Sequence, residues 1–298
     1  MKRTSILIFI IILLKLSAYC QANDSTVKFS LPLIAQENQG NSYITFPTDI
    51  GNIESLWFEG YLIPNFYLRT SKNSRLMGVL TPQTILRMYQ EESYPVRTPS
   101  YMPQMTAYYK LIDFEKNMSL TLFGRIAHHS NGQNEDFFLE DGSINLKSGD
   151  FSTNFWELGL IATKVSTRFN AHQFLKTSLE VHPKSFSQDE LTGIYSRIRW
   201  HNAFSIFKLA PDNNPNDAKK PAISLKGETT WMFGRYNNLN ALSAERLNLR
   251  ITFYFHPKFL EDIGLFVQYY HGSDYYNMFF SHRLDILRFG IMTEKLRF

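Results

Sequence analysis

Apolar and polar residues alternate with a period of two along most of the chain. From Leu247 to His256, one set is Leu247, Leu249, Ile251, Phe253 and Phe255, and the other is Asn248, Arg250, Thr252, Tyr254 and His256. Successive side chains of an extended strand point to opposite faces, so this run predicts a strand with one apolar and one polar side. Ile263, Leu265, Val267 and Tyr269 oppose Gly264, Phe266, Gln268 and Tyr270 in the same way, and Ile223, Leu225, Trp231 and Phe233 oppose Ser224, Lys226, Glu228 and Thr230. Twelve strands are predicted in all, centred near Ile44, Tyr61, Met77, Thr106, Leu122, Leu158, Leu175, Ile198, Leu225, Ile251, Val267 and Phe289.

Their connections alternate between short and long. Ser71-Lys72-Asn73, Glu115-Lys116-Asn117 and Thr167-Arg168 fall on one side, and the stretches near Glu91, Asp141, Ser187, Asn238 and Ser273 on the other. The Pro/Asn/Asp-rich segment from Pro211 to Pro221 is the exception, a long turn on the short-turn side. A charged strand face needs water, and in a membrane-spanning barrel the lumen supplies it while the apolar face meets lipid. A soluble sandwich would bury the apolar face instead, but it requires neither strands of this length nor an aromatic terminus such as Phe298. The expected fold class is all-β: a twelve-stranded antiparallel transmembrane β-barrel, with the even strand number usual for such proteins. No internal repeat or low-complexity tract divides it, so one domain suffices.

The N-terminus changes the picture of location. Met1-Lys2-Arg3, an apolar run from Ile6 to Leu14 and the small or polar residues Ala18-Tyr19-Cys20-Gln21-Ala22 have the layout of a secretory signal peptide. Residues 1–20 are therefore expected to be removed, leaving the barrel in 21–298. No later segment approaches the roughly 18 uninterrupted apolar residues of a spanning helix, which leaves a closed barrel as the way to cross a bilayer. The one cysteine, Cys20, lies in the leader, so the remainder has neither a disulfide framework nor a thiolate nucleophile. Lys2, Arg3 and Lys15 also belong to the leader, which brings the formal charge from +4 to +1 and gives nucleic-acid binding no support. Aromatic residues form 15% of the chain and the mean hydropathy is mildly negative, a combination that suits a barrel with aromatic girdles at both interfaces.

Candidate chemistry sits at the outer end of the fifth strand, in Ala127-His128-His129-Ser130-Asn131-Gly132. Counting strands from a periplasmic N-terminus sends this strand outward. Its even positions Met118, Leu120, Leu122, Gly124 and Ile126 are the lipid-facing set, and His128 and Ser130 continue it. Polar groups on a lipid-facing surface are costly unless satisfied. A histidine two residues from a serine can act as general base while the hydroxyl attacks a carbonyl carbon, and such a base needs a third group to fix its tautomer. Asn154 in the sixth strand shares its face with Trp156, Leu158 and Leu160, hence with the pair, whereas Glu157 lies opposite. The competing reading is that His128, Ser130 and Asn154 are polar residues of the interfacial rim. His129 falls on the lumenal side and is expected to be structural. The other histidines, at 172, 182, 201, 256, 271 and 282, are too scattered to suggest a zinc site.

These residues resemble the outer-membrane phospholipases A. The family's His-x-Ser-Asn-Gly motif stands as His128-His129-Ser130-Asn131-Gly132, and its catalytic Asn falls on Asn154 within Ser152-Thr153-Asn154. A second block, Glu91-Glu92-Ser93-Tyr94-Pro95-Val96-Arg97 followed by Tyr101 and Pro103-Gln104, resembles the family's second outer loop. Weaker likeness at Glu180-Val181 and from Val267 to Met292 extends the resemblance over nearly all of the chain after Ser42.

The resemblance implies a calcium-dependent phospholipase of the outer membrane, with A1, A2 and lysophospholipase activity and activation as a homodimer. Ser130 would be the nucleophile, His128 the base, Asn154 its orienting partner, and the Gly132 N–H an oxyanion donor. Calcium would be held by the backbone carbonyl of Gln133, the side chain at Asp150 and the carbonyl of Ser93 from a second subunit. Two departures stand out. Asp150 replaces a serine, a harder ligand for calcium, and the loop from Gln133 to Asp150 is enlarged and carries Glu135, Asp136, Glu140 and Asp141. The family's dimer-bridging Gln falls on Thr81 in an ungapped alignment, with Gln83 two residues on. The alternative function is a non-enzymatic barrel, a pore or structural protein with a vestigial site. A lumen expected to hold Arg125, Glu157, Arg197, Arg199 and Glu228 speaks against an open pore.

Overall fold

Every one of the twelve predicted centres lies in a strand of the computed structural model, which describes residues 29–47, 49–71, 74–114, 118–166, 168–209, 220–293 and 296. The expected leader, Phe298 and most of the 211–221 segment lie outside the described residues. Ten long strands are β5 (Leu76–Tyr89), β6 (Ser100–Phe114), β7 (Met118–Ser130), β8 (Ser152–Ser166), β9 (Ala171–Val181), β10 (Ile198–Leu209), β11 (Pro221–Phe233), β12 (Leu247–Phe255), β13 (Ile263–Ser273) and β14 (Arg283–Thr293). The first two staves are each broken in two. Both β1 (Tyr43–Thr45) and β2 (Ile50–Gly51) pair with β14, and both β3 (Leu56–Leu62) and β4 (Phe66–Leu68) pair with β5. Pro47 and Pro64 lie in the breaks, where a residue without an N–H cannot continue the ladder.

All pairings are antiparallel between successive staves, and Tyr43↔Met292 and its neighbours join β14 to β1, closing a twelve-stranded barrel. Closure removes every sheet edge. The faces follow the alternation: Ile126 and Leu158 are 50% and 61% exposed, whereas Thr121 and Phe123 are fully buried toward the lumen. This apolar outer wall with a polar interior places the chain across the outer membrane as a multi-pass β-barrel.

The lumen is filled. Arg87 bonds Glu59 (2.7 Å) and, with both terminal nitrogens, Asp274 (2.7 and 2.8 Å), and Arg288 reaches Glu59 at 2.8 Å. Glu157 takes Arg125 and Lys176, each at 2.8 Å, and Arg199 meets Glu180 at 3.2 Å. Arg197, expected among them, lies instead in the loop beyond β9 and bonds Thr192 (2.9 Å). The alternation sets its direction, but the strand begins only at Ile198.

One element escaped the sequence pattern. Helix α1 (Leu31–Gln39) is capped by Ser30, carries Pro32 in its first turn and ends at Gly40, whose φ of +86° suits glycine. It sits inside the barrel. Ile34 and Ala35 join Val79, Tyr108, Phe123 and Phe174 in an apolar cluster, while Glu37 bonds Ser205 (2.5 Å) and pairs with Lys226 (3.3 Å). Phe123, the apolar exception on the polar face of β7, is thereby explained: it faces the helix.

Candidate active site

β7 and β8 run side by side with His128 opposite Asn154 and Ser130 opposite Ser152. Because directly paired residues share a face, the register brings the imidazole and the amide together on the lipid-facing wall, with His128 Nδ1 3.1 Å from Asn154 Oδ1. Ser130 lies two residues on, on the same face and half-buried. Among the described contacts its hydroxyl has no hydrogen bond, so the histidine–serine contact that alternation suggested is not formed.

Below the pair, the wall carries an open and mostly apolar groove of about 710 Å³. Leu80, Pro82, Pro103, Met105 and Ile126 line it, with Trp156 and Phe186 beside Asn154. Pro82 and Pro103 are register mates, so two staves lack ladder donors at the same level.

The motif's Asn131 has a role that its sequence position did not disclose. Its Nδ2 donates to Gly149 O (2.8 Å), and its Oδ1 accepts from the backbone N–H groups of Phe151 (3.0 Å) and Gln133 (3.2 Å). It therefore ties together the two ends of the 131–151 loop. Gly132 between them has φ +70°, a left-handed conformation that favours glycine, and the Tyr101 ring lies 3.7 Å from where a Cβ would stand.

Gln133 and Asp150 are held at the base of that loop. The Asp150 N–H donates to Glu135 O (2.9 Å), and its Oδ2 accepts from Gln188 Nε2 (2.6 Å). Partial burial, and then the neighbouring carboxylate of Glu190, push the Asp150 carboxyl above its ordinary value, with the Gln188 bond opposing them. Two carboxylates that repel one another are relieved by a cation, so the donor chemistry fits a hard divalent ion. Glu190 is a residue the sequence reading missed; it comes from the β9–β10 loop, forty residues further on. Among the described residues no group of three or more acidic, His or Cys side chains forms a shell within the chain. Ser93 is exposed in the β5–β6 loop, and among the described contacts none joins it to Gln133 or Asp150.

One sequence expectation changes. Thr81 and Gln83 both face inward: Thr81 donates to Asn65 Oδ1 (2.8 Å) and Gln83 accepts from Tyr61 (2.9 Å). Neither is available at the lipid-facing surface. His129 is buried on the lumenal side with its ring 4.8 Å from that of Phe151, as its parity predicted. The loop residues Phe137, Phe151, Leu191, Tyr195, Met278 and Phe280 pack into one cluster that caps this end of the barrel.

Fold and site together define a lipid-embedded barrel that carries a Ser/His/Asn constellation on its outer wall. No family model matches the sequence, and no curated protein does. Among solved structures the chain is similar to outer membrane phospholipase A from Escherichia coli, with a TM-score of 0.58 and 10% identity over 92% of this chain and 95% of that one. It is also similar to the outer membrane phospholipase dimer of Salmonella typhi with bound calcium, with a TM-score of 0.57 and 11% identity over the same shares. The fold is thus that of the outer-membrane phospholipases.

Proposed function

We propose that the chain is a calcium-dependent outer-membrane hydrolase that cleaves acyl esters of phospholipids. The observation that carries this reading is the His128 Nδ1–Asn154 Oδ1 contact of 3.1 Å on the lipid-facing surface, with Ser130 on the same face. A phospholipid reaches that surface by lateral diffusion, and the groove beneath the pair accepts an acyl chain.

With Asn154 bound to Nδ1, His128 presents Nε2 to the reaction. It takes the Ser130 proton as Oγ attacks the ester carbon, and returns it to the lysophospholipid oxygen as the carbon–oxygen bond breaks. Water then cleaves the acyl-serine, again through His128, and fatty acid leaves. The Gly132 N–H is the donor offered to the tetrahedral oxyanion. The Gln133 carbonyl and the Asp150 carboxylate, with Glu190 beside them, would hold calcium, and Ser93 of a second copy would complete the shell in a homodimer. Calcium there supplies positive charge against the developing oxyanion.

The test is fatty-acid release from detergent-dispersed phospholipid. Wild type is expected to release fatty acid, Ser130→Ala to fall by at least about 10³-fold, and a chelator to suppress the wild-type rate. Equal release by the two proteins would sink the serine mechanism, and no release by the wild type would favour the competing reading of a non-enzymatic barrel. Release that ignores the chelator would remove calcium.

A further inference from the structure

The β9–β10 loop lies along the start of β8 and grips it at successive residues. The Gln188 side chain accepts from the Ser152 N–H (2.8 Å) and donates to Asp150 Oδ2 (2.6 Å), while its own N–H donates to Ser152 O (3.2 Å). Thr153 Oγ1 meets Ser187 Oγ at 2.8 Å and His182 Nδ1 at 2.9 Å. Ser187 and Thr153 also form an isolated antiparallel bridge. At the next position Asn154 Nδ2 donates to the carbonyl of Phe186 at 2.7 Å.

That last bond has a directional consequence. A peptide carbonyl can only accept, so the NH₂ of Asn154 must turn toward Phe186, and its Oδ1 must turn toward His128. An amide oxygen also only accepts, so Nδ1 of His128 must carry the ring proton and the lone pair is left on Nε2. An asparagine amide is nearly symmetrical in shape. Released from Phe186 it can reverse, offering N–H to Nδ1 and placing the proton on Nε2, a ring form unable to take a proton from Ser130.

We infer that the Phe186 carbonyl sets the tautomer of His128, and that Thr153 and Gln188, which hold the loop bearing that carbonyl against β8, are positioning residues for the proposed hydrolysis, on which this inference rests. The 3-10 turn Lys184–Phe186 that presents the carbonyl also sets the Phe186 ring against Trp156 of β8, with centroids 6.2 Å apart. Ser187 Oγ fastens the turn at its other end by donating to Pro183 O (3.1 Å).

The test uses the full chain folded in detergent micelles with ¹⁵N-labelled histidine, the His128 signals being assigned by their loss in His128→Gln. Wild type is expected to show the ring protonated at Nδ1. Thr153→Val and Gln188→Ala are expected to shift His128 toward a mixture of tautomers and to lower kcat by about 10- to 100-fold with KM unchanged, below the 10⁴-fold ascribed to a fixed wrong tautomer. Thr153→Ser, which keeps the hydroxyl, should restore both. If Thr153→Val does not assemble, Ser187→Ala removes the same contact from the loop side.

A wild-type ring protonated at Nε2, or a wild-type tautomer retained in both loop variants, overturns the inference. A tautomer shift in a protein without acyl-hydrolase activity would leave the inference standing and remove the proposed function. Loss of activity in Ser130→Ala beside an unmoved tautomer in the loop variants would do the reverse.

Discussion

At Asp150 a carboxylate accepts from the Gln188 amide and feels the charge of Glu190, and the outcome depends on pH. Burial and Glu190 raise this carboxyl above its ordinary value, so the folded chain holds the proton more tightly than the unfolded one. The stabilising contribution is present below the ordinary carboxylate value and is lost as pH rises through the raised one. Glu190→Gln is therefore expected to stabilise the loop at neutral pH and to change little in strong acid, as denaturant titration at the two pH values would show. Protons and calcium compete for the same oxygens. The calcium needed for half-maximal release should rise on acidification, and Glu190→Gln should move that rise to lower pH; a requirement independent of pH would remove Asp150 from the site. The parity of His128, Ser130 and Asn154 was legible in the sequence because a strand has a period of two. Asn131, Phe186, Gln188 and Glu190 were not, because their contacts are to backbone or to residues across the loops, and no spacing encodes them.

Among the elements, long strands announced themselves and the helix did not. Nine residues give α1 too few turns for a periodic signal, and its surroundings demand Ile34 and Ala35 on one side and Glu37 and Gln39 on another. Its role is to fill one end of the lumen, where Ile34 is fully buried. Ile34→Ala is expected to cost about 2–4 kcal/mol through lost burial and the cavity left behind, measured by denaturant unfolding of the folded barrel. A change below about 0.5 kcal/mol would mean that the helix adds nothing to the packing of the barrel. The periodicity predicts single strands near Ile44 and Tyr61, and the prolines that interrupt the first two staves shorten β1 and β3 without moving either stave from its place.

For the whole molecule, the division between lipid and lumen governs tolerance. Leu158 faces outward and Glu157 beside it carries two lumenal cations. Leu158 pairs with Gly124 midway along β7, and Leu158→Arg is expected to destabilise the barrel by about 2–4 kcal/mol in lipid vesicles, read from reversible unfolding. A neutral outcome would place this face against protein or water rather than acyl chains. The filled lumen, with Arg87, Arg288 and Arg125 all engaged by carboxylates, leaves the outer wall as the surface at which a membrane lipid can be met.

The sequence by itself determined which residues face lipid, how many staves there are and which three side chains share the candidate site, because each follows from local periodicity and chain order. Tertiary structure alone decided that Asn154 stands directly opposite His128, that a helix occupies the lumen, and that a loop more than thirty residues away turns the Asn154 amide toward the imidazole. Register and loop docking are fixed by contacts between segments far apart in the chain, and no local pattern of polar and apolar residues records them.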